Sequence, residues 1–157
     1  TVRGFEDLLA AGKIRSWGVS NLDVDEMQKL VSLPGRKACV TNQVLYNLSR
    51  RGIEFDLLPW CPKNEISIMA KSPVVQDRIL GDKALARVAQ RLGATPAQVA
   101  LAWTLRHDAV VSIPKAATVA HVRENRKALE LKLDARALSE LDQAFPAPRG
   151  ATSLEMI

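Results

Sequence analysis

The chain has 157 residues, enough for one domain with a core of its own, and its 47% hydrophobic and 25% charged content belongs to a folded globular protein, not to a disordered or fibrous one. A net charge of +5 invites an acidic partner, but basic residues are interleaved with acidic ones and aromatic content is only 4%, which argues against nucleic acid held by stacked bases. Apolar runs are far too short to span a bilayer and no cationic leader is visible, so no membrane partner and a cytoplasmic location are expected.

Val2, Phe5, Leu8 and Leu9 recur at the spacing of an amphipathic helix over residues 1–11, with Gly12 as its stop. Lys13 to Asn21 reads as a strand. Asn21 or Asp23 then caps a helix in which Met27, Leu30 and Val31 share a face, up to Leu33-Pro34-Gly35. A second strand covers Ala38 to Val44, followed by a loop from Asn47 to Gly52 and a short helix near Phe55 to Cys61. Ile66 to Ala70 is a third strand, ended by Lys71-Ser72-Pro73. Two helices come next, Lys83 to Leu92 and Thr95 to Leu105; Thr95-Pro96-Ala97-Gln98 carries a capping box with proline at the first helical position. Val110 to Ile113 is the fourth strand, delivering Pro114-Lys115 to a helix from Thr118 to Leu129. A last helix, Asp134 to Phe145, precedes a tail over 146–157, expected to be flexible. Cys39 and Cys61 lack metal or redox spacing and read as buried free thiols.

Strand and helix alternate four times, which implies α/β architecture with parallel strands and helical crossovers. An open doubly wound sheet and a barrel both satisfy that pattern. The Gly-x-Gly-x-x-Gly turn of a dinucleotide-binding domain is absent, which counts against the first. A (β/α)8 barrel takes about 250 residues, so four units correspond to half of one. Ligands of parallel α/β folds bind at the carboxyl ends of the strands. Those ends read Ser20-Asn21, Asn42-Gln43, Lys71-Ser72 and Lys115. Amides and hydroxyls suit a neutral carboxamide, and lysines suit phosphates, the more so where a helix begins. A nicotinamide dinucleotide has both parts.

Gly12-Lys13-Ile14-Arg15, Gly18-Val19-Ser20-Asn21, the run from Asn42 to Asn47, the run from Thr95 to Trp103, Ile113-Pro114-Lys115 and Arg123-Glu124-Asn125 together resemble, in order and spacing, the second half of the aldo-keto reductases. The resemblance implies the C-terminal half of a (β/α)8 TIM barrel over residues 1–145, made of four βα units and a C-terminal helix. It implies NADPH as cofactor, extended across the C-terminal face. Ser20, Asn21 and Gln43 match residues that hold the nicotinamide carboxamide; Lys115 matches the lysine beside the 2′-phosphate; Glu124 and Asn125 match residues at the adenine.

Three departures modify this expectation. Lys71-Ser72-Pro73-Val74 stands where the family usually has Tyr-Ser-Pro-Leu, so the ring that stacks on the nicotinamide is replaced by an amine. His121 stands where NADPH-preferring relatives commonly have arginine, and it lacks the bidentate fork; Ala116 replaces a common serine. Weakened selectivity is expected, with NADH accepted beside NADPH.

The family's catalytic Asp, Tyr, Lys and His lie on the first four strands of the barrel. Tyr46 matches a position outside that set, so no catalytic residue is assigned here, and His107 and His121 are read as surface or cofactor-edge residues. The chain is expected to be the cofactor-binding part of a reductase of aldehydes and ketones, inactive by itself. The alternative is a non-catalytic nucleotide-binding or assembly module. Its other expected partner is the N-terminal half barrel or a second copy, because a half barrel leaves two strand edges and an inner face, read as rich in Val, Ile and Met, uncovered.

Overall fold

Residues 1–74 and 79–156 are described by the computed structural model. In chain order they form α1 (Val2–Ala10), β1 (Trp17–Ser20), α2 (Val24–Val31), β2 (Cys39–Leu45), α3 (Leu57–Lys63), β3 (Ser67–Lys71), α4 (Lys83–Arg91), α5 (Pro96–Thr104), β4 (Val110–Ser112), α6 (Val119–Lys127) and α7 (Ala135–Ala144). The strands are parallel and lie in the order β1-β2-β3-β4, which makes β1 and β4 the edges of the sheet among the described residues. A parallel pair cannot be closed by a tight turn, so helical crossovers separate the strands.

Side chains alternate along each strand, and the two faces differ in composition. Val44, Ile68, Ala70 and Val110 turn toward the helices, where Met27, Leu57, Cys61, Leu85, Val99 and Trp103 complete a dry core. Each large apolar side chain so buried contributes about 1.5–3 kcal/mol relative to exposure. The opposite face is open. Its central rung is Ser20, Gln43, Met69 and Val111, which are Cα partners across the four strands. Thr41 and Ser67 form part of the rung below, and Leu45 and Lys71 part of the rung above. The face is therefore mixed and not predominantly Val, Ile and Met, because the period of two assigns Val44 of β2, Ile68 of β3 and Val110 of β4 to the helix side.

Strand β1 is shorter than the expected Lys13–Asn21. Its register shifts between Trp17 and Gly18, and pairing starts there. At Gly18 a Cβ would lie 2.8 Å from the Thr41 carbonyl oxygen, so only glycine lets β1 approach β2 this closely. Strand β2 runs two residues past Asn42-Gln43 to Leu45, so those two residues sit inside the strand and not at its end. Residues 146–156 form no helix or strand, yet Leu154 packs against the core.

Candidate functional site

The first group of polar residues gathers where β1 leaves the sheet. Ser20 Oγ donates to the Gln43 carbonyl at 2.9 Å, and the Asn21 amide donates to the same oxygen at 2.9 Å. Asn21 has a φ of 57°, a left-handed conformation that asparagine tolerates better than most residues. The turn is fixed from the far side by Asn42, whose Nδ2 donates to the Leu22 carbonyl at 2.7 Å from the helix face of β2. Asp23 then opens α2 with a capping box, accepting from the Glu26 amide while the Glu26 carboxylate accepts from its own. This leaves Asn21 Oδ1 buried with no hydrogen-bond partner. A buried amide oxygen without a donor is costly, and a ligand N–H would satisfy it. Gln43, half-buried on the open face, is directly across from Ser20.

The second group lies at the ends of β3 and β4. Ser72 also adopts a left-handed φ, of 50°, and Asn47 Nδ2 donates to its carbonyl at 2.9 Å. From this turn Ser72, Pro73 and Val74 form one wall of a cleft of about 590 Å³. Lys115, His121, Glu124 and Asn125 form the other. Helix α6 begins at the Thr118 cap, whose hydroxyl accepts from the His121 amide at 3.2 Å, and through His121 its first turn, the positive end of the helix, borders the same space as Lys115. Gln98 Nε2 donates to the Glu124 carbonyl at 3.2 Å and ties α5 to this wall. Lys71 and Ala116 are not among the cleft's lining residues. Lys71 ends β3 on the open face opposite Leu45, and Ala116 is half-buried in the connection to α6. The two groups face one end of the sheet, one offering amides and a hydroxyl, the other a cation and a helix terminus.

A third cluster was not anticipated. Tyr46 donates to Glu54 at 2.7 Å, Arg106 donates to the Tyr46 hydroxyl at 2.9 Å, and both Arg106 and Arg51 pair with Glu54, at 2.6 and 2.7 Å. Arg51, 8% exposed, also holds Asp142 at 2.7 Å and the Phe145 carbonyl where α7 ends. Both guanidinium groups also lie over the Trp103 ring, that of Arg106 3.6 Å and that of Arg51 4.9 Å from its centre. Burial alone would raise the Glu54 carboxyl, but hydrogen bonds from Arg51, Tyr46 and Arg106 outweigh it and hold the group below its ordinary value. Burial pushes the Tyr46 phenol far above its ordinary value. Burial, then the neighbouring Arg106 charge, lowers His107, whose Nε2 is buried and unpartnered. Arg51 and Glu54 at a spacing of three are the only local trace of this cluster in the sequence. Cys39 and Cys61 are buried and unpaired, and burial raises the Cys61 thiol to about 12.

A model of the aldo/keto reductase family matches residues 1–145. The chain is 49% identical over 162 residues to the methylglyoxal reductase YeaE of Escherichia coli, covering 100% of the chain and 57% of that protein. It is 32% identical to the glyoxal reductase of Bacillus subtilis, covering 90% of the chain and 50% of the relative. Among solved structures, an aldo/keto reductase from Klebsiella pneumoniae in complex with NADP and acetate superposes with a TM-score of 0.95 at 43% identity, over 99% of this chain and 57% of that one. A thermostable aldo-keto reductase in complex with the inhibitor epalrestat gives 0.80 at 37% identity, over 90% and 53%. The chain thus spans little more than half the length of these relatives.

Proposed function

The chain belongs to the aldo/keto reductase family, and from that premise we propose that it is the cofactor-seating half of a (β/α)8 barrel reductase that converts an aldehyde or ketone to an alcohol with NADPH. The observation that carries the reading is the cleft in which Lys115 and the N-terminal turn of α6 face Ser72, Pro73 and Val74. The residues fit the cofactor at both ends. Asn21 Oδ1 is an acceptor in want of a donor, as a carboxamide would supply, with Ser20 and Gln43 beside it. Lys115 provides a point charge for a phosphate, and Glu124 and Asn125 provide hydrogen-bonding groups for an adenine.

When bound, the nicotinamide supplies a hydride to the carbonyl carbon. The chain's own residues hold and orient it. The left-handed turns at Asn21 and Ser72, pinned by Asn42 and Asn47, fix where the two walls stand, so the binding groups are placed before the ligand arrives. His121 and Ala116 offer no bidentate grip on a 2′-phosphate, so NADH is accepted as well, and the Lys71 amine cannot stack as a tyrosine would. Among the described residues none acts as the catalytic acid. The Tyr46 proton is committed to Glu54 inside the core, and burial opposes its ionisation. The acid and its supporting groups come from an N-terminal half barrel, or a second copy closes the barrel. The substrate is a small 2-oxoaldehyde of the methylglyoxal type, a reading supported by 49% identity to a methylglyoxal reductase.

Titration of the 157-residue chain with NADPH and NADH, followed by nucleotide fluorescence, is expected to show weak binding of both. The same chain should reduce no methylglyoxal above background. Absence of any binding would refute the cofactor role, and steady turnover would place a catalytic acid within these residues. The committed position of Tyr46 favours one other reading, a nucleotide-binding module without reductase activity. Turnover by the chain joined to an N-terminal half would exclude that alternative.

A further inference from the structure

Residues 50–52 grip the C-terminal segment at three consecutive positions. Arg50 pairs with Glu155 at 2.7 Å. Arg51 holds Asp142 and the Phe145 carbonyl, the point from which the segment departs. At Gly52 a Cβ would lie 2.6 Å from Thr152 Oγ1, so glycine lets the segment lie against the loop. Residues 152–155 face Asp23, Val24 and Leu45 across a crevice of about 20 Å³, room for about one water. Leu45 stands two residues beyond Gln43 on β2 and shares its face by strand alternation, while Asp23 and Val24 follow Asn21 directly in the turn. The segment therefore meets the positions next along from the carboxamide group, Leu45 beyond Gln43 and Asp23 beyond Asn21, although Ser20, Asn21 and Gln43 do not themselves line the crevice. In a nicotinamide the carbon that yields hydride adjoins the carbon bearing the carboxamide, so a carbonyl substrate must sit beside that group and within reach of the segment.

We propose that Arg50 is a specificity-positioning residue of the carbonyl site: through Glu155 it seats residues 152–155 as a wall above Gln43, and that wall limits the size of the substituent the substrate carries. This rests on the reductase reading above. Arg50 touches neither cofactor nor substrate and acts only through the segment. The pair is half exposed, so losing it costs little stability, but reversing one charge turns attraction into repulsion at the one ion pair that residues 152–155 make among the described residues.

The test uses the full-length enzyme with Arg50→Glu, Glu155→Arg, the double exchange, and Glu155→Gln as a mild variant that removes the pair without repulsion. Methylglyoxal and phenylglyoxal are the small and bulky substrates. Arg50→Glu should raise the methylglyoxal KM about fivefold with kcat little changed, and reduce discrimination against phenylglyoxal. NADPH affinity should be unaltered, amides of 152–156 should exchange faster with solvent, and the double exchange should restore all of these. Faster exchange with unchanged discrimination would overturn the proposal, as would failure of the double exchange to restore the parent values. Should Arg50→Glu fail to fold, Glu155→Gln must show the same shifts in smaller measure, and their absence would overturn the idea. If the parent enzyme neither binds NADPH nor reduces either substrate, the reductase reading fails by itself. Amide exchange then judges the anchor, and unchanged exchange in the variants refutes it.

Discussion

Tyr46 directs its hydroxyl at the Glu54 carboxylate, which also receives Arg51 and Arg106, and the same two guanidinium groups lie over the Trp103 ring. Removing one partner of such a buried set leaves another charge uncompensated. Glu54→Gln is therefore expected to destabilise the fold by about 3–5 kcal/mol, measured as a fall in the urea midpoint. The pH dependence follows from the depressed Glu54 carboxyl. A carboxylate favoured in the folded state contributes stability above its unfolded value of about 4.3, and that contribution is lost as pH falls through the lower folded value. The parent chain should lose stability on acidification below about pH 4, and the Gln variant should show a shallower loss over the same range. At the cleft, Lys115→Ala should weaken NADPH about tenfold and NADH less, while His121→Arg should shift the affinity ratio toward NADPH by about tenfold; nucleotide fluorescence titration reads both. Lys115 could be found in the sequence because a β-branched run, a proline and a helix start surround it locally. Arg51, Glu54, Arg106 and Asp142 could not, because Arg51 and Asp142 are 91 positions apart and are bridged only by the folded core.

Local signals sufficed for the helices. The capping box expected at Thr95 is formed, and of the two caps offered for α2 it is Asp23 that takes the role, closing a second box with Glu26. Thr95→Ala should cost about 1 kcal/mol in thermal or urea unfolding, with a cooperative transition retained. Strand limits were harder to read. Lys13 to Ser16 have strand-compatible residues but no partner in the sheet, and β2 gains Leu45 because β3 offers Lys71 opposite it. Gly18 shows what alternation alone misses, since its role is the closeness of two backbones. Gly18→Ala should destabilise by about 1–3 kcal/mol, because the Thr41 carbonyl cannot move aside as a flexible side chain could. The two left-handed turns, Asn21 and Ser72, were visible as polar strand ends, but their supports, Asn42 and Asn47, were not. An asparagine inside a strand looks alike in sequence whether it faces a ligand or a neighbouring loop.

At the scale of the whole molecule, β1 and β4 are the sheet edges among the described residues, and the open face carries Met69, Val111 and Ile113 among polar residues. We expect the 157-residue chain to self-associate at micromolar concentration, to be checked by light scattering; a monodisperse monomer would refute this. The polar residues on that face weaken the apolar drive, so edge pairing should dominate. The strand order also bears on how the molecule is made. Each strand pairs with the one next to it in sequence, so the sheet can grow in the direction of synthesis, one unit at a time. The last step is the slowest to become available, because Ile68 pairs with Val110 across an intervening helical pair. At ribosomal speeds that stretch of roughly forty residues takes about 2–8 s to emerge. For those seconds β3 is a bare edge on a nascent chain, which is the interval in which a chaperone, or a second nascent copy, would find it open.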